Sequence, residues 1–280
     1  MLPDSYGEYI FYDGAMGTML QKSGLKPGQR PDILNMTAPY AVENVHRMYV
    51  EAGSDIVCTN TFGANADALR GTGYSPADII TAAVSIAGNA CGGKAKVALD
   101  IGPVGRLLEP IGDLEYDRAY ELFAEQAVAG EKAGADFAAI ETMSDLTEIK
   151  AAILAVTNNT RLPVLATMTF DKTGRTYLGC TPEEFAETAE NLGASAVGIN
   201  CSLEPAEMFL TAQRIAKSTS LPLIVKPNAG LPDSHTGLYS ISPEEFAKQM
   251  APYKKIGAKI IGGCCGTTPE YIRELRRTFL

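Results

Sequence analysis

Short apolar runs alternate with longer amphipathic stretches from one end of the chain to the other. The apolar runs fall at 9–13, 55–61, 96–101, 137–143, 163–170, 196–201, 221–227 and 259–263. Between them, apolar positions recur at helical spacing over about 38–53, 76–92, 117–134, 145–157, 182–193, 205–218, 243–256 and 269–279. Strands that read as near-continuous apolar runs are buried on both faces, as in a parallel sheet covered by helices. Eight strand–helix units in 280 residues are what a (β/α)8 TIM barrel requires, and they predict an α/β fold with a single domain over 1–280. An open doubly wound sheet is the other arrangement of such units, but no Gly-rich dinucleotide turn follows the first run.

The helix starts agree with the periodicity. Ser75-Pro76, Thr181-Pro182, Ser242-Pro243 and Thr268-Pro269 each set a capping hydroxyl before a proline, whose missing N–H costs nothing at the first helical position. Thr181 with Glu184 and Ser242 with Glu245 have capping-box spacing. The longest irregular stretch, 16–38, is expected to form a lid or wall over one end of the barrel.

Composition narrows the function. The net charge of −9 argues against nucleic acid or an anionic membrane as partner. No apolar run approaches the roughly 20 residues of a membrane span. The start Met1-Leu2-Pro3-Asp4 lacks the basic and apolar regions of a signal peptide. Six cysteines in that context predict a reducing cytoplasm and thiols used as ligands or reactive groups. With only two histidines, His46 and His235, a metal site would have to rest on sulfur or oxygen.

In such a barrel, functional groups gather at the C-terminal ends of the strands. Those ends carry Asp13, Asn60, Asp100, Glu141, Thr169 with Asp171, Asn200-Cys201, Asn228 and Cys264-Cys265. Cys201 ends strand six and Cys264-Cys265 end strand eight, so their sulfurs could meet over strand seven. Three thiolates with one open position describe a catalytic zinc site, because zinc is tetrahedral and soft enough for sulfur. Two structural cysteines with an unrelated third is the plainer reading, and a strained vicinal disulfide at Cys264–Cys265 is a third. Cys58 and Cys91 read as small apolar fillers, and Cys180 as an exposed thiol on the active rim. Lys226 reads either as a lysine paired with a carboxylate or as a Schiff-base lysine of an aldolase or decarboxylase. His46 reads as a surface or interhelical residue, and His235 as a residue at the pocket mouth.

Six motifs, taken together, resemble the homocysteine S-methyltransferase family. They are Asp13-Gly14-Ala15-Met16-Gly17-Thr18, Thr59-Asn60-Thr61-Phe62, Ile140-Glu141-Thr142, Gly198-Ile199-Asn200-Cys201-Ser202, Lys226-Pro227-Asn228-Ala229-Gly230, and the run from Gly262 through Cys264-Cys265 to Pro269. The likeness is strongest to the homocysteine-binding module of the cobalamin-dependent methionine synthases, and it covers nearly the whole chain. The resemblance implies a (β/α)8 barrel, zinc held by Cys201, Cys264 and Cys265, and a homocysteine pocket. That pocket would use Asp13, the amides of Gly14 and Ala15, and Glu141, with Asn60, Asn200 and Asn228 as supports. It further implies transfer of an activated methyl group to homocysteine sulfur, with a methyl-corrinoid on a partner protein as the expected donor. S-methylmethionine is the alternative donor, and a non-catalytic zinc-binding protein the alternative of another class. The chain's stop after its eighth helix turns the expectation away from betaine as donor.

Overall fold

The computed structural model describes residues 7–26, 28–233 and 239–280. Its strands are β1 (Ile10–Phe11), β2 (Ile56–Cys58), β3 (Lys96–Ile101), β4 (Phe137–Met143), β5 (Val164–Met168), β6 (Ala196–Asn200), β7 (Leu223–Lys226) and β8 (Ala258–Ile261). All pair in parallel, in the order β1-β8-β7-β6-β5-β4-β3-β2. A parallel bridge between Tyr12 and Ile56 brings β1 to β2 and closes the (β/α)8 barrel. That seam is thin. Besides the bridge, Asp55 N donates to Phe11 O at 2.7 Å, and Phe11 N donates to the Asp55 carboxylate at 2.8 Å.

The covering helices are α3 (Pro39–Ala52), α4 (Pro76–Cys91), α5 (Tyr116–Ala133), α6 (Leu146–Asn159), α7 (Pro182–Asn191), α8 (Pro205–Lys217), α9 (Pro243–Met250) and α10 (Pro269–Phe279), while α1 (Met16–Lys22) and α2 (Leu34–Thr37) lie in the first connection. Full capping boxes start α4 (Ser75 with Asp78) and α7 (Thr181 with Glu184). Ser242 accepts from Glu245 N at 3.3 Å, whereas the Thr268 hydroxyl bonds the Glu270 carboxylate and makes no cap. The helix expected over 243–256 stops at Met250 and continues as a 3-10 segment, Ala251–Ile256. Pro252 explains the change, since it removes a backbone donor and crowds the preceding turn.

The stretch 16–38 is more regular than expected, holding α1, a 3-10 turn (Pro31–Ile33) and α2. It is pinned to the end of β2: Asn60 Nδ2 donates to Pro31 O at 2.7 Å, Asn35 Nδ2 to Asn60 O at 2.7 Å, and Arg30 to Gly63 O at 2.7 Å. Those bonds make it a wall. No helix among the described residues is long and apolar enough to cross a membrane.

Side chains alternate across each strand, so every second residue enters the barrel. At the bottom the entering residues are apolar: Ile10, Ile56, Ala98, Phe137, Leu165, Ala196, Ile224 and Ile260. One or two steps up the same strands they become Asp100, Glu141, Thr167, Asn200 and Lys226. Between Ala196 and Asn200 stands Gly198, where a Cβ would lie 1.9 Å from Ile224 O, so β6 and β7 can approach only without a side chain there. The outer faces of the strands form the larger core with the helices. His46 lies in it, fully buried on α3, with neither ring nitrogen hydrogen-bonded among the described residues. That is the interhelical placement, not the surface one. Burial pulls its imidazole down to about 4.

Candidate functional site

Strand β7 is the spacer that brings the three expected thiols together. Cys201 N donates to Lys226 O at 3.0 Å, and Cys264 N donates to Pro227 O at 2.8 Å, so the turns after β6 and β8 both lean on the end of β7. The Cys201 and Cys265 sulfurs lie 3.9 Å apart, and all three sulfurs sit within 4.8 Å of one another. Cys201 and Ser202 reach this geometry in the left-handed region, at φ 62° and 58°, a conformation that non-glycine residues keep only where their surroundings enforce it. At the other turn, a Cβ on Gly263 would lie 2.3 Å from the Thr267 hydroxyl, which donates to Cys264 O at 2.7 Å.

Two asparagines back the thiols. Asn228 Oδ1 accepts from Cys265 N at 3.0 Å. Asn200 Oδ1 accepts from Thr142 N and from the Thr167 hydroxyl, both at 2.8 Å. Its Nδ2 donates to the Thr142 hydroxyl at 2.7 Å and to Cys264 Sγ at 3.8 Å. Thr142 sits at φ 63° where β4 slips its register, so one asparagine joins the bulge beside Glu141 to the thiol cluster. Hydrogen bonds from Cys264 and then Cys265 pull the Cys201 thiol down to about 3, while the thiolate so formed pushes Cys265 up to about 11 and Cys264 well above the usual thiol range.

A second polar group lies deeper, inside the barrel. Glu141 pairs with Lys226 at 2.5 Å, and the Lys226 ammonium also faces the Tyr12 ring at 4.3 Å and Cys58 Sγ at 4.0 Å. Burial works against the lysine's charge, but Cys58, Glu141, Tyr12 and Asp13 outweigh it and raise Lys226 well above its usual value. Asp13 Oδ2 accepts from Cys58 N at 2.8 Å, and burial, opposed by Lys226, raises its carboxyl to about 7. Asp100 is 8% exposed, and its Oδ1 has no hydrogen-bond partner among the described residues. Burial first, then Glu141, raises it well above the carboxylate range. The ligand atoms of Cys58, Asp100 and Glu141 also lie within 4.8 Å of one another, but the lysine ammonium already supplies the cation there.

One pocket of about 280 Å³ joins the two groups, with Asp13, Asp100, Glu141 and Lys226 at one end and Cys201, Cys264 and Cys265 at the other. Gly14, Ala15 and Asn60 line it as well, whereas Asn200 and Asn228 stand behind the wall. The Ala15 N–H already donates to Thr267 O at 3.1 Å. Cys58 lines the pocket and is more than a filler; its position two residues above inward-facing Ile56 was the available signal. Tyr12, two residues above inward-facing Ile10, carried the same signal, whereas Thr267 had none, because the Ala15 N–H from which its carbonyl accepts lies far away in sequence. Cys180 departs from expectation: it is buried, with its thiol donating to Thr181 O at 3.3 Å. Cys91 is buried as expected. Asp171 is a turn former that accepts from Thr173 N at 2.8 Å. His235 lies outside the described residues.

A closed parallel barrel with thiols and carboxylates facing one pocket at the C-terminal ends of its strands has the form of a barrel enzyme. The profile of the homocysteine S-methyltransferase family matches residues 10–279, and the chain belongs to that family. Methionine synthases of Mycobacterium leprae and Mycobacterium tuberculosis are 36% and 37% identical to it, over 94% of this chain in each case. The chain spans about a quarter of the length of these relatives, 24% of each. Among solved structures, the homocysteine methyltransferase MmuM from Escherichia coli in its oxidized form shares the fold, with TM-score 0.84 and 23% identity over 97% of this chain and 96% of that one. The metallated form of the same protein gives TM-score 0.83 and 22% identity, over 96% of both chains.

Proposed function

We propose that the chain is a zinc-dependent homocysteine S-methyltransferase that takes its methyl group from a methyl-corrinoid carried by a partner protein in the cytoplasm. The observation that carries this reading is the pocket itself, with three convergent sulfurs at one end and three carboxylates at the other. The donor set fits the metal. Zinc–sulfur bonds of about 2.3 Å in a tetrahedron require sulfurs about 3.8 Å apart, and Cys201 and Cys265 stand 3.9 Å apart. The deeper group of Cys58, Asp100 and Glu141 does not fit, since a second cation would meet Lys226.

Zinc, when held by Cys201, Cys264 and Cys265, supplies a Lewis acid that favours loss of the substrate thiol's proton at neutral pH. The chain's residues do the rest. Asn200 and Asn228 fix the cysteines through the bonds to Cys264 Sγ and Cys265 N. The carboxylates of Asp13 and Glu141 make the far end of the pocket attractive to the substrate ammonium, and the backbone of Gly14 and Ala15 lies along the same wall for its carboxylate. Attack of sulfur on an activated methyl then needs alignment and no general base, and none of the described residues lining the pocket is a histidine. The likeness to methionine synthases favours the corrinoid donor. A Schiff-base role for Lys226 is opposed by its ion pair, which keeps the amine protonated.

The test is a donor panel with homocysteine: methylcobalamin, a methyl-corrinoid protein, S-methylmethionine and betaine, scored for methionine. Turnover with the corrinoid protein supports the proposal, turnover with S-methylmethionine alone replaces the donor, and methionine from none of them rejects the activity. Borohydride trapping of a carbonyl substrate on Lys226 would instead establish the Schiff-base enzyme.

A further inference from the structure

Two connections that meet at the pocket are built as one piece. One is the stretch 14–18 after β1, and the other is the turn after β8 that carries Cys264 and Cys265. Ala15 N donates to Thr267 O at 3.1 Å, and Gly266 N donates to Thr18 Oγ1 at 3.1 Å. Thr267 in turn holds the first cysteine, its N–H and its hydroxyl both donating to Cys264 O, at 3.2 and 2.7 Å. The third member comes from outside both connections. Tyr49 of α3 is fully buried, and its hydroxyl donates to Thr267 O at 2.9 Å with Ala15 O 3.3 Å away. The fit is tight: a Cβ on Gly14 would lie 2.6 Å from the Thr267 hydroxyl and 3.0 Å from the Tyr49 hydroxyl, so the junction leaves no room for a side chain. Cys201 is held separately, by β7, through Lys226 O.

Building on the homocysteine reading above, we propose that Tyr49 is a positioning residue that couples the two ends of the site. Substrate settling against Gly14 and Ala15 stiffens the turn of Cys264 and Cys265, and metal held by those cysteines stiffens the wall that receives the substrate. Tyr49 stands behind the pocket lining and acts through its bonds alone. Elements that share buried hydrogen bonds lose their freedom together, so the first ligand lowers the entropy that the second must remove. Such coupling is reciprocal, each ligand raising the other's affinity by the same factor. Ligation of the substrate thiol would link the two ends as well; an amino acid without sulfur leaves only the route through the protein.

The probe is therefore L-2-aminobutanoate, which is homocysteine without its thiol. Its affinity is measured by calorimetry on the metal-free and the zinc-loaded chain, for wild type, Tyr49→Phe, Thr18→Val and Thr181→Ala. Wild type is expected to bind it roughly 5- to 150-fold more tightly when loaded, and Tyr49→Phe to lose most of that ratio while holding zinc in full. With cobalt(II) in place of zinc, the probe should shift the thiolate charge-transfer bands of wild type and leave those of Tyr49→Phe unmoved. Thr18→Val, which removes the acceptor of Gly266 N, should lower the ratio too and serves if Tyr49→Phe does not fold. Thr181→Ala weakens the fold away from the pocket and should keep the ratio; its loss there as well would trace the effect to stability and overturn the proposal. Wild type that binds the probe equally with and without zinc, or in neither state, overturns the coupling, and an undiminished ratio in Tyr49→Phe overturns the role of Tyr49. Homocysteine that fails to bind the loaded wild type overturns the substrate reading beneath both.

Discussion

The pocket holds two groups with the same spacing and opposite character. Cys201, Cys264 and Cys265 lie within 4.8 Å of one another, and so do the ligand atoms of Cys58, Asp100 and Glu141. The first trio is half-buried, sits on turns beyond the strand ends, and is accompanied by neutral amides from Asn200 and Asn228. The second lies within the barrel against a buried lysine, and burial raises the Cys58 thiol well above its usual range. Spacing alone does not make a metal site. What separates the two is whether a cation is already built in, because a second positive ion beside Lys226 would face repulsion in a place with little water to screen it.

The contrast is broken or sharpened by substitution, and the largest effect concerns the metal. Cys201→Ala and Cys264→Ala are each expected to lower bound zinc from about one per chain to near none, whereas Cys58→Ala should keep its zinc in full; a metal assay on the purified variants decides. Equal loss in all three would make the deeper trio part of the metal site. Next comes Lys226→Met, which leaves Glu141 as a buried charge without its partner and should cost roughly 3–5 kcal/mol in urea unfolding. A neutral result would mean that the ion pair is not the deeper trio's organising charge.

Two controls lie outside both groups. His46 is neutral when folded, with a value near 4 against an ordinary 6.5. The unfolded chain therefore binds the extra proton, and stability present above pH 6.5 falls as the pH drops toward 4, by about 3 kcal/mol in total. His46→Leu should remove that acid limb from the unfolding profile without changing zinc content; an unchanged profile would place the acid sensitivity elsewhere. Smallest is Thr181→Ala, which deletes half of the capping box on α7 and should cost about 1 kcal/mol in thermal unfolding, again with zinc unaffected. A larger loss would mean that α7 supports the rim more than its cap suggests.

Much of this architecture is legible in the chain. The eight apolar runs and the helices between them are in the expected places, because burial on both faces of a parallel strand leaves so plain a pattern. Once the strands are ordered, Cys201 and Cys264-Cys265 fall on either side of β7 without further information. Three things were hidden. The end of α9 depended on how one proline, Pro252, is accommodated. The order within 16–38 comes from bonds that Arg30 and Asn60 make across the connection. The pairing of Lys226 with Glu141 spans a barrel, and alternation along a strand tells which residues point inward but not which of them meet. Cys180 was misplaced for a related reason: its loop folds back on itself, with Thr176 N donating to Cys180 O at 3.0 Å, and so covers the thiol.

The thin seam between β1 and β2 has a consequence for how the barrel breathes. Seven of the eight strand junctions are ladders of paired residues, while this one is stitched by the Tyr12–Ile56 bridge, the backbone and carboxylate of Asp55 and the bond from Cys58 N to the Asp13 carboxylate. Asp13 follows directly on one side of the stitch, and Cys58 stands two residues past it on the other. Local opening of the barrel would therefore begin at the wall of the pocket and leave the ladders that carry Cys201, Cys264 and Cys265 intact. Amide hydrogen exchange around the barrel should be fastest at Phe11 and Asp55, whose N–H groups bridge the seam, and should slow when the pocket is filled. In that picture the molecule has a fixed jaw, which carries the thiols, and a looser one, which carries Asp13 and Cys58.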